Sequence, residues 1–188
     1  MSKPSYDNKK ILIMGAGGCG SGFLLGCLRA CGFETGPHNE FMRWGGLREA
    51  LKVGQDPKTI WTPKVIKHLG GFLVNLNTHI DRHGWEIQHI FFAVASYELQ
   101  LRAYQRRRKR TREEAEKRYR EGLAQGLVQL IERDHPFTVI RCPRSILDPD
   151  YCYDKMKVVL GDMQLGQFKV LHAMQIIPEK LAGLEKYV

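Results

Sequence analysis

An apolar strand that runs into a glycine-rich loop and then directly into a helix constrains this chain more than any other feature. Ile11, Leu12, Ile13 and Met14 form a short run of buried-strand type. Gly15, Gly17, Gly18, Gly20 and Gly22 follow, and a helical pattern opens at Gly22, with Phe23, Cys27 and Cys31 on one stripe and Leu24 and Leu28 beside it. A loop of this composition can turn its amides inward, and the helix behind it adds the positive end of its dipole. The site so formed suits a phosphate or a sulfate.

Three frames compete for this loop. Gly15, four residues, Gly20 and then Ser21 match the outline of a Walker A loop, but Ser21 stands where that motif has Lys. Read as a dinucleotide fingerprint, Gly15-Ala16-Gly17-Gly18-Cys19-Gly20 satisfies G-x-G-x-x-G and resembles the loop of ubiquitin-activating-type adenylating enzymes. That reading also requires a second strand ending in an acidic ribose contact, and Cys31 to Arg43, CGFETGPHNEFMR, offers turn formers instead. A Rossmann-type adenylating or dinucleotide-binding protein stays as the alternative.

The third frame covers more of the chain. Gly15, Gly20, Ser21, Phe23 and Leu24, followed by Gly32-Phe33-Glu34-Thr35-Gly36, fall into register with the phosphosulfate loop of the sulfotransferases, G-x-x-[RK]-S-G-T-[ST]-x-L and then G-[FV]-x-x-G. The chain resembles a small sulfotransferase-like P-loop protein, and HPFTVIRCPRSILDPDYCYDKMKVVLG is similar to that family's closing strand, turn and helix. The loop is degenerate: Gly18 replaces the expected Lys or Arg, and Cys19 replaces a Ser. The resemblance implies 3′-phosphoadenosine 5′-phosphosulfate or a related adenine nucleotide as cofactor, held by Gly15, Gly17, Gly18, Cys19, Gly20, Ser21 and Gly22. It also implies a His or Glu close behind the first helix to take the acceptor's proton, and His38 and Glu40 occupy that stretch. A polar turn containing polar residues is the competing reading of the pair.

The remaining elements alternate as in an α/β protein. The pattern predicts a strand over 10–14, helices over 22–32, 46–53 and 63–82, and a central strand in EIQHIFFAVAS, residues 86–96. One long helical region follows from Tyr97 to Glu132, with Gly122 and Gly126 as its weak points. A strand over 137–142 ends at Pro143, and Asp148-Pro149 starts a helix to about Leu160. The fold expected is a three-layer P-loop NTPase-like domain with a parallel sheet, residues 1–9 forming a polar tail and 10–188 one domain. Arg141 and Arg144 fall at the end of the last strand, where open α/β sheets bind ligands, and are candidate phosphate contacts.

Charge is concentrated. The chain of 188 residues carries a net +9. Between Leu101 and Gly122, ten Lys or Arg stand against four Glu. Arg106, Arg107, Arg108, Lys109 and Arg110 fall on every side of a helix. Residues 102–120 therefore read as a basic lid over nucleotide phosphates, as a surface for a polyanion or acidic protein, or as a solvated face in which Glu113, Glu114 and Glu116 pair with neighbouring cations.

No apolar run approaches the ~20 residues of a membrane helix, the start of the chain lacks the apolar centre of a signal peptide, and a cytoplasmic protein is expected. The five cysteines form no C-x-x-C pair and read as reduced thiols, with Cys19 alone placed where a helix start would favour a thiolate. His79 and His83 share a helical face, but without a third ligand no metal is expected. Group transfer, most specifically sulfuryl transfer to a hydroxyl, leads, with a non-catalytic binding or assembly module built on the same fold as the second reading.

Overall fold

The computed structural model describes residues 8–16, 18–35, 53–59, 62–67, 69–108, 111–181 and 184. Four parallel strands form its sheet: β1 (Lys9–Gly15), β2 (Val65–Lys67), β3 (Glu86–Ala95) and β4 (Phe137–Cys142), in the order β2-β1-β3-β4. The apolar centres of β1 and β3 explain their central places, because a strand covered on both faces has no solvent side to furnish with polar residues. Ile13 lies opposite Phe91 and Gly15 opposite Ala93, so the end of β1 and the middle of β3 are locked in register.

Helices cover both faces. Odd-numbered residues of β1 and β3 (Ile11, Ile13, Phe91, Ala93) pack with α1 (Ser21–Ala30) through Leu24 and Leu28, and with α6 (Pro149–Leu160) and α7 (Leu165–Ala173) through Met156 and Phe168. Even-numbered residues (Leu12, Met14, Ile90, Phe92) meet α2 (Leu69–His83) through Phe72, Leu73, Leu76 and Ile80, and α4 (Arg112–Glu132) through Leu130. The strand period of two thus splits one sheet into two cores and gives the three layers expected of an α/β chain. Two short helices, α5 (Arg144–Leu147) and α8 (Pro178–Leu181), and α3 (Tyr97–Arg108) complete the described elements, with a single 3₁₀ turn at Pro57–Thr59.

Three expectations change. The helix over 63–82 begins only at Leu69, because Val65, Ile66 and Lys67 pair with β1 as a parallel strand that the helical pattern concealed. Val65 and Ile66 are buried and β-branched, which suits a pleated ladder better than a first helical turn. The region from Tyr97 to Glu132 is two helices, and the break falls at Thr111, not at the glycines. Thr111 caps α4 by a reciprocal box with Glu114: the Glu114 amide donates to Thr111 Oγ1 at 3.2 Å and the Thr111 amide to Glu114 Oε2 at 3.0 Å. Gly126 is a packing glycine: a Cβ there would come 2.8 Å from Leu73 and 3.3 Å from Phe92, so its absence lets α4 lie against α2 and the sheet. The third change is small, β1 starting at Lys9 inside the expected tail. Of the helix expected over 46–53, residues 46–52 lie outside the described residues.

α2 is kinked at Asn75 (φ −135°, ψ 32°), and Gln129 of α4 closes the gap. Its Nε2 donates to the Leu73 carbonyl at 2.8 Å, while its Oε1 accepts from the Asn77 amide at 3.3 Å. One side chain so replaces backbone bonds that the kink removes. An Arg133–Asp81 pair, Nη2 to Oδ2 at 2.7 Å, ties the far ends of the same two helices. At the other end of the fold, Asp148 caps α6, accepting from the Tyr151 amide at 2.9 Å ahead of Pro149, as its sequence predicts.

Candidate anion site at the end of β1

The winding of the sheet reverses at β1: β2 lies on one side of it, and β3 and β4 on the other. Open α/β sheets bind ligands outside the carboxyl ends of their strands at such a reversal. The glycine loop leaves β1 at this point and leads into α1. Gly20 precedes the first helical residue in a left-handed conformation (φ 78°), and its carbonyl accepts from the Phe23 and Leu24 amides at 3.0 and 3.2 Å. Only a residue without Cβ takes that angle at little cost.

Much of the loop's glycine content answers to crowding. A Cβ at Gly15 would strike the Ala93 carbonyl of β3, one at Gly18 would lie 2.5 Å from Ala103 of α3, and one at Gly20 would lie 2.9 Å from Cys142 Sγ at the end of β4. The loop is therefore held between β3, β4 and α3. Gly22 differs, since the nearest atom to its missing Cβ is Lys67 Nζ at 4.0 Å. Lys67 ends β2, so an ammonium stands at the start of α1 from across the sheet edge. It brings, from another strand, a positive charge near Gly22 and Cys19 of a loop in which Gly18 stands in place of a cation.

Cys19 points inward. Its thiol is buried, and burial raises its pKa above the ordinary value despite hydrogen bonds from the Ser21 amide and hydroxyl and the nearby charge of Lys67. Desolvation thus outweighs the helix start that favoured a thiolate in the sequence, and Cys19 stays a buried thiol whose amide donates to the Ala16 carbonyl at 3.3 Å. Ser21 is likewise buried, with its hydroxyl turned to Cys19. Cys142, beside Gly20, is pushed up to about 12 by burial and by Cys19. All five cysteines are free thiols.

The other candidates divide. Arg141 is exposed on β4, and its amide donates to the Tyr151 hydroxyl at 3.0 Å. Arg144 is committed locally, its Nε 3.4 Å from Asp148 Oδ2 and its guanidinium 4.4 Å from the Tyr151 ring centre. Gly17, His38 and Glu40 lie outside the described residues, as do Lys109, Arg110 and the side chains of Arg106, Arg107 and Arg108. The backbone of the basic helix is nevertheless placed, because Ala103 of α3 meets Gly18 of the loop. Further along the basic region, Arg112 bridges Glu98 at 2.8 Å and Glu116 at 3.1 Å, so its charge is balanced by carboxylates.

His83 and His89 are held by contacts within the fold. His83 stacks on Trp85 at 4.7 Å, and its Nδ1 lies 3.3 Å from the Pro57 carbonyl. His89 Nε2 pairs with Thr138 Oγ1 at 2.9 Å across β3 and β4. Burial lowers the pKa of both, and of His79. Among the described residues no group of three or more His, Cys, Asp or Glu is placed to hold a metal ion, and no helix is long and apolar enough to cross a membrane.

Lys67 is the charged neighbour of the α1 start that the sequence does not announce. Its only local signal is a lysine closing a short β-branched run, and that run reads as part of a helix until its pairing with β1 is known. No protein-family model matches the chain, and no curated protein matches it.

Proposed function

We propose that this chain is a nucleotide-dependent group transferase of sulfotransferase-like P-loop type that moves a sulfuryl group to a hydroxyl acceptor. The observation that supports the reading is the meeting of the loop, the start of α1 and the Lys67 ammonium at the reversal of the sheet. Of the first-turn amides, that of Ser21 reaches Cys19 and that of Phe23 the Gly20 carbonyl, so the Gly22 amide and Lys67 are the groups suited to an anionic phosphosulfate end. 3′-Phosphoadenosine 5′-phosphosulfate, when bound, supplies an activated sulfuryl group: the acceptor oxygen forms the new S–O bond, the bond to the phosphate oxygen breaks, and its electron pair leaves with adenosine 3′,5′-bisphosphate.

The chain's own part is to orient and to stabilise charge. The Lys67 ammonium balances negative charge that grows on the oxygens around the transferring group, a term worth several powers of ten in rate where such donors are preorganised. His38 or Glu40 takes the acceptor's hydroxyl proton. Because α3 touches the loop at Gly18, the basic helix would lie beside a nucleotide held there, and residues 102–120 would act as a cationic cover.

Calorimetric titration with adenosine 3′,5′-bisphosphate, ATP, NAD and sodium sulfate tests the binding half. The expected result is tight binding of the bisphosphate and weak or no binding of NAD and ATP; preference for NAD or ATP supports the dinucleotide or adenylating alternative. Release of bisphosphate from the phosphosulfate in the presence of 2-naphthol tests the chemical half. Binding without turnover favours the second reading, a non-catalytic module that keeps the loop as an anion site.

A further inference from the structure

The geometry points to an acceptor pocket for a compact apolar molecule that carries a hydroxyl, or the sulfate ester of that hydroxyl, directed at Lys67. A cavity of about 310 Å³ lies beside the first turns of α1. Its walls are Phe23 and Gly26 of α1, Ile146 of α5, and Ile176, Ile177 and Leu181 near the end of the described chain. The size falls at the lower end of the range for small-molecule sites, about 300–1,000 Å³, and the lining follows their pattern of apolar walls with few polar groups.

Gly22 orients the occupant. It lines the cavity, and the nearest atom to its missing Cβ is the Lys67 ammonium. The apolar space reaches Gly22, and the cation stands 4.0 Å beyond the point where a side chain there would begin, so no Cβ separates the two. An apolar body can fill the cavity while an oxygen or an ester head reaches the charge, which an uncharged hydrocarbon could not use. Gln175 is the polar group in the wall, and its Oε1 would lie 2.7 Å from a Cβ at Gly26, so this second glycine lets the C-terminal segment close against α1. Phe23 is steadied from behind by an edge contact with His172, ring centres 4.9 Å apart.

This inference rests on the transferase reading for its acceptor role, and the test separates the two. Binding of 2-naphthol, 2-naphthyl sulfate and adenosine 3′,5′-bisphosphate is measured by calorimetry on the full chain and on three variants. Ile177→Trp enters the cavity from a residue that is 46% exposed, so the fold tolerates it, and Ile146→Trp fills the cavity from the opposite wall. Each should weaken both naphthyl compounds about tenfold or more by removing the apolar space they fill, and leave the bisphosphate unchanged. Lys67→Met should weaken 2-naphthyl sulfate and not 2-naphthol. Absence of naphthyl binding to the unaltered chain, or binding indifferent to both tryptophans, overturns the pocket; equal response of naphthol and its sulfate to Lys67→Met overturns the orientation. Naphthyl binding with these responses but no bisphosphate binding keeps the pocket and sinks the transferase reading.

Discussion

Lys67 and Gly22 come from different elements and meet at the start of α1, with the lysine Nζ 4.0 Å from the point a Cβ at residue 22 would occupy. A charge-assisted hydrogen bond from such an ammonium to a bound phosphate contributes about 1.5–3 kcal/mol. Lys67→Met should therefore weaken adenosine 3′,5′-bisphosphate by about tenfold or more, and Lys67→Arg should retain most of the affinity. Titration calorimetry at fixed ionic strength reads both. Equal affinities for the unaltered chain and Lys67→Met would remove the lysine from the site.

Gly20 joins two constraints at one position, a left-handed φ of 78° and a Cys142 Sγ 2.9 Å from where a Cβ would be. Gly20→Ala should cost about 1–3 kcal/mol in urea unfolding, from backbone strain and from the displaced sulfur together. Adding Cys142→Ala should recover part of the loss, since it relieves the contact with sulfur and leaves the backbone angle unchanged. A fully additive double variant would show that the two residues do not press on each other.

Gln129 substitutes for helical hydrogen bonds across the Asn75 kink, so its loss leaves the Leu73 carbonyl and the Asn77 amide in want of partners. Gln129→Ala should destabilise the fold by about 1–3 kcal/mol, the ordinary cost of stranding partly buried polar groups. Amide exchange should quicken in residues 73–80 before it quickens in β1 and β3. Uniform exchange across the protein would mean that the kink does not depend on this bridge.

His89 is buried between β3 and β4, and desolvation holds its pKa below the ordinary histidine value. In the unfolded chain it takes a proton near pH 6.5, which the folded protein resists, so stability should fall as pH drops below about 6.5. The decline due to this residue ends once the pH passes below its folded pKa. His89→Gln should shrink the stability difference between pH 7 and pH 5 in urea titrations at the two values. An acid limb of unchanged slope would assign the loss to other groups, among them His83, whose pKa burial also lowers.

The sequence by itself determined the elements whose signals are local. The apolar run from Ile11 to Met14, the glycine loop, the β3 run through Phe91 and Phe92, and the Asp148-Pro149 start of α6 each carry their cause within a few residues, because strand burial, turn angles and caps are short-range effects. The α/β class with a parallel sheet follows from their alternation. Tertiary structure decided the rest. Val65-Ile66-Lys67 became a strand because β1 offered an edge to pair with, and no neighbour in sequence announces that. Gly126 became a contact instead of a break because α2 and the sheet press on it, and the Thr111–Glu114 cap, not glycine, divided the basic helices. Cys19 keeps its proton because its burial, set by the packing around the loop, outweighs the helix start. The meeting of Lys67 with Gly22, and the apolar cavity beside them, depend on the order in which the strands lie side by side; residues forty-odd positions apart become neighbours only when that order is fixed.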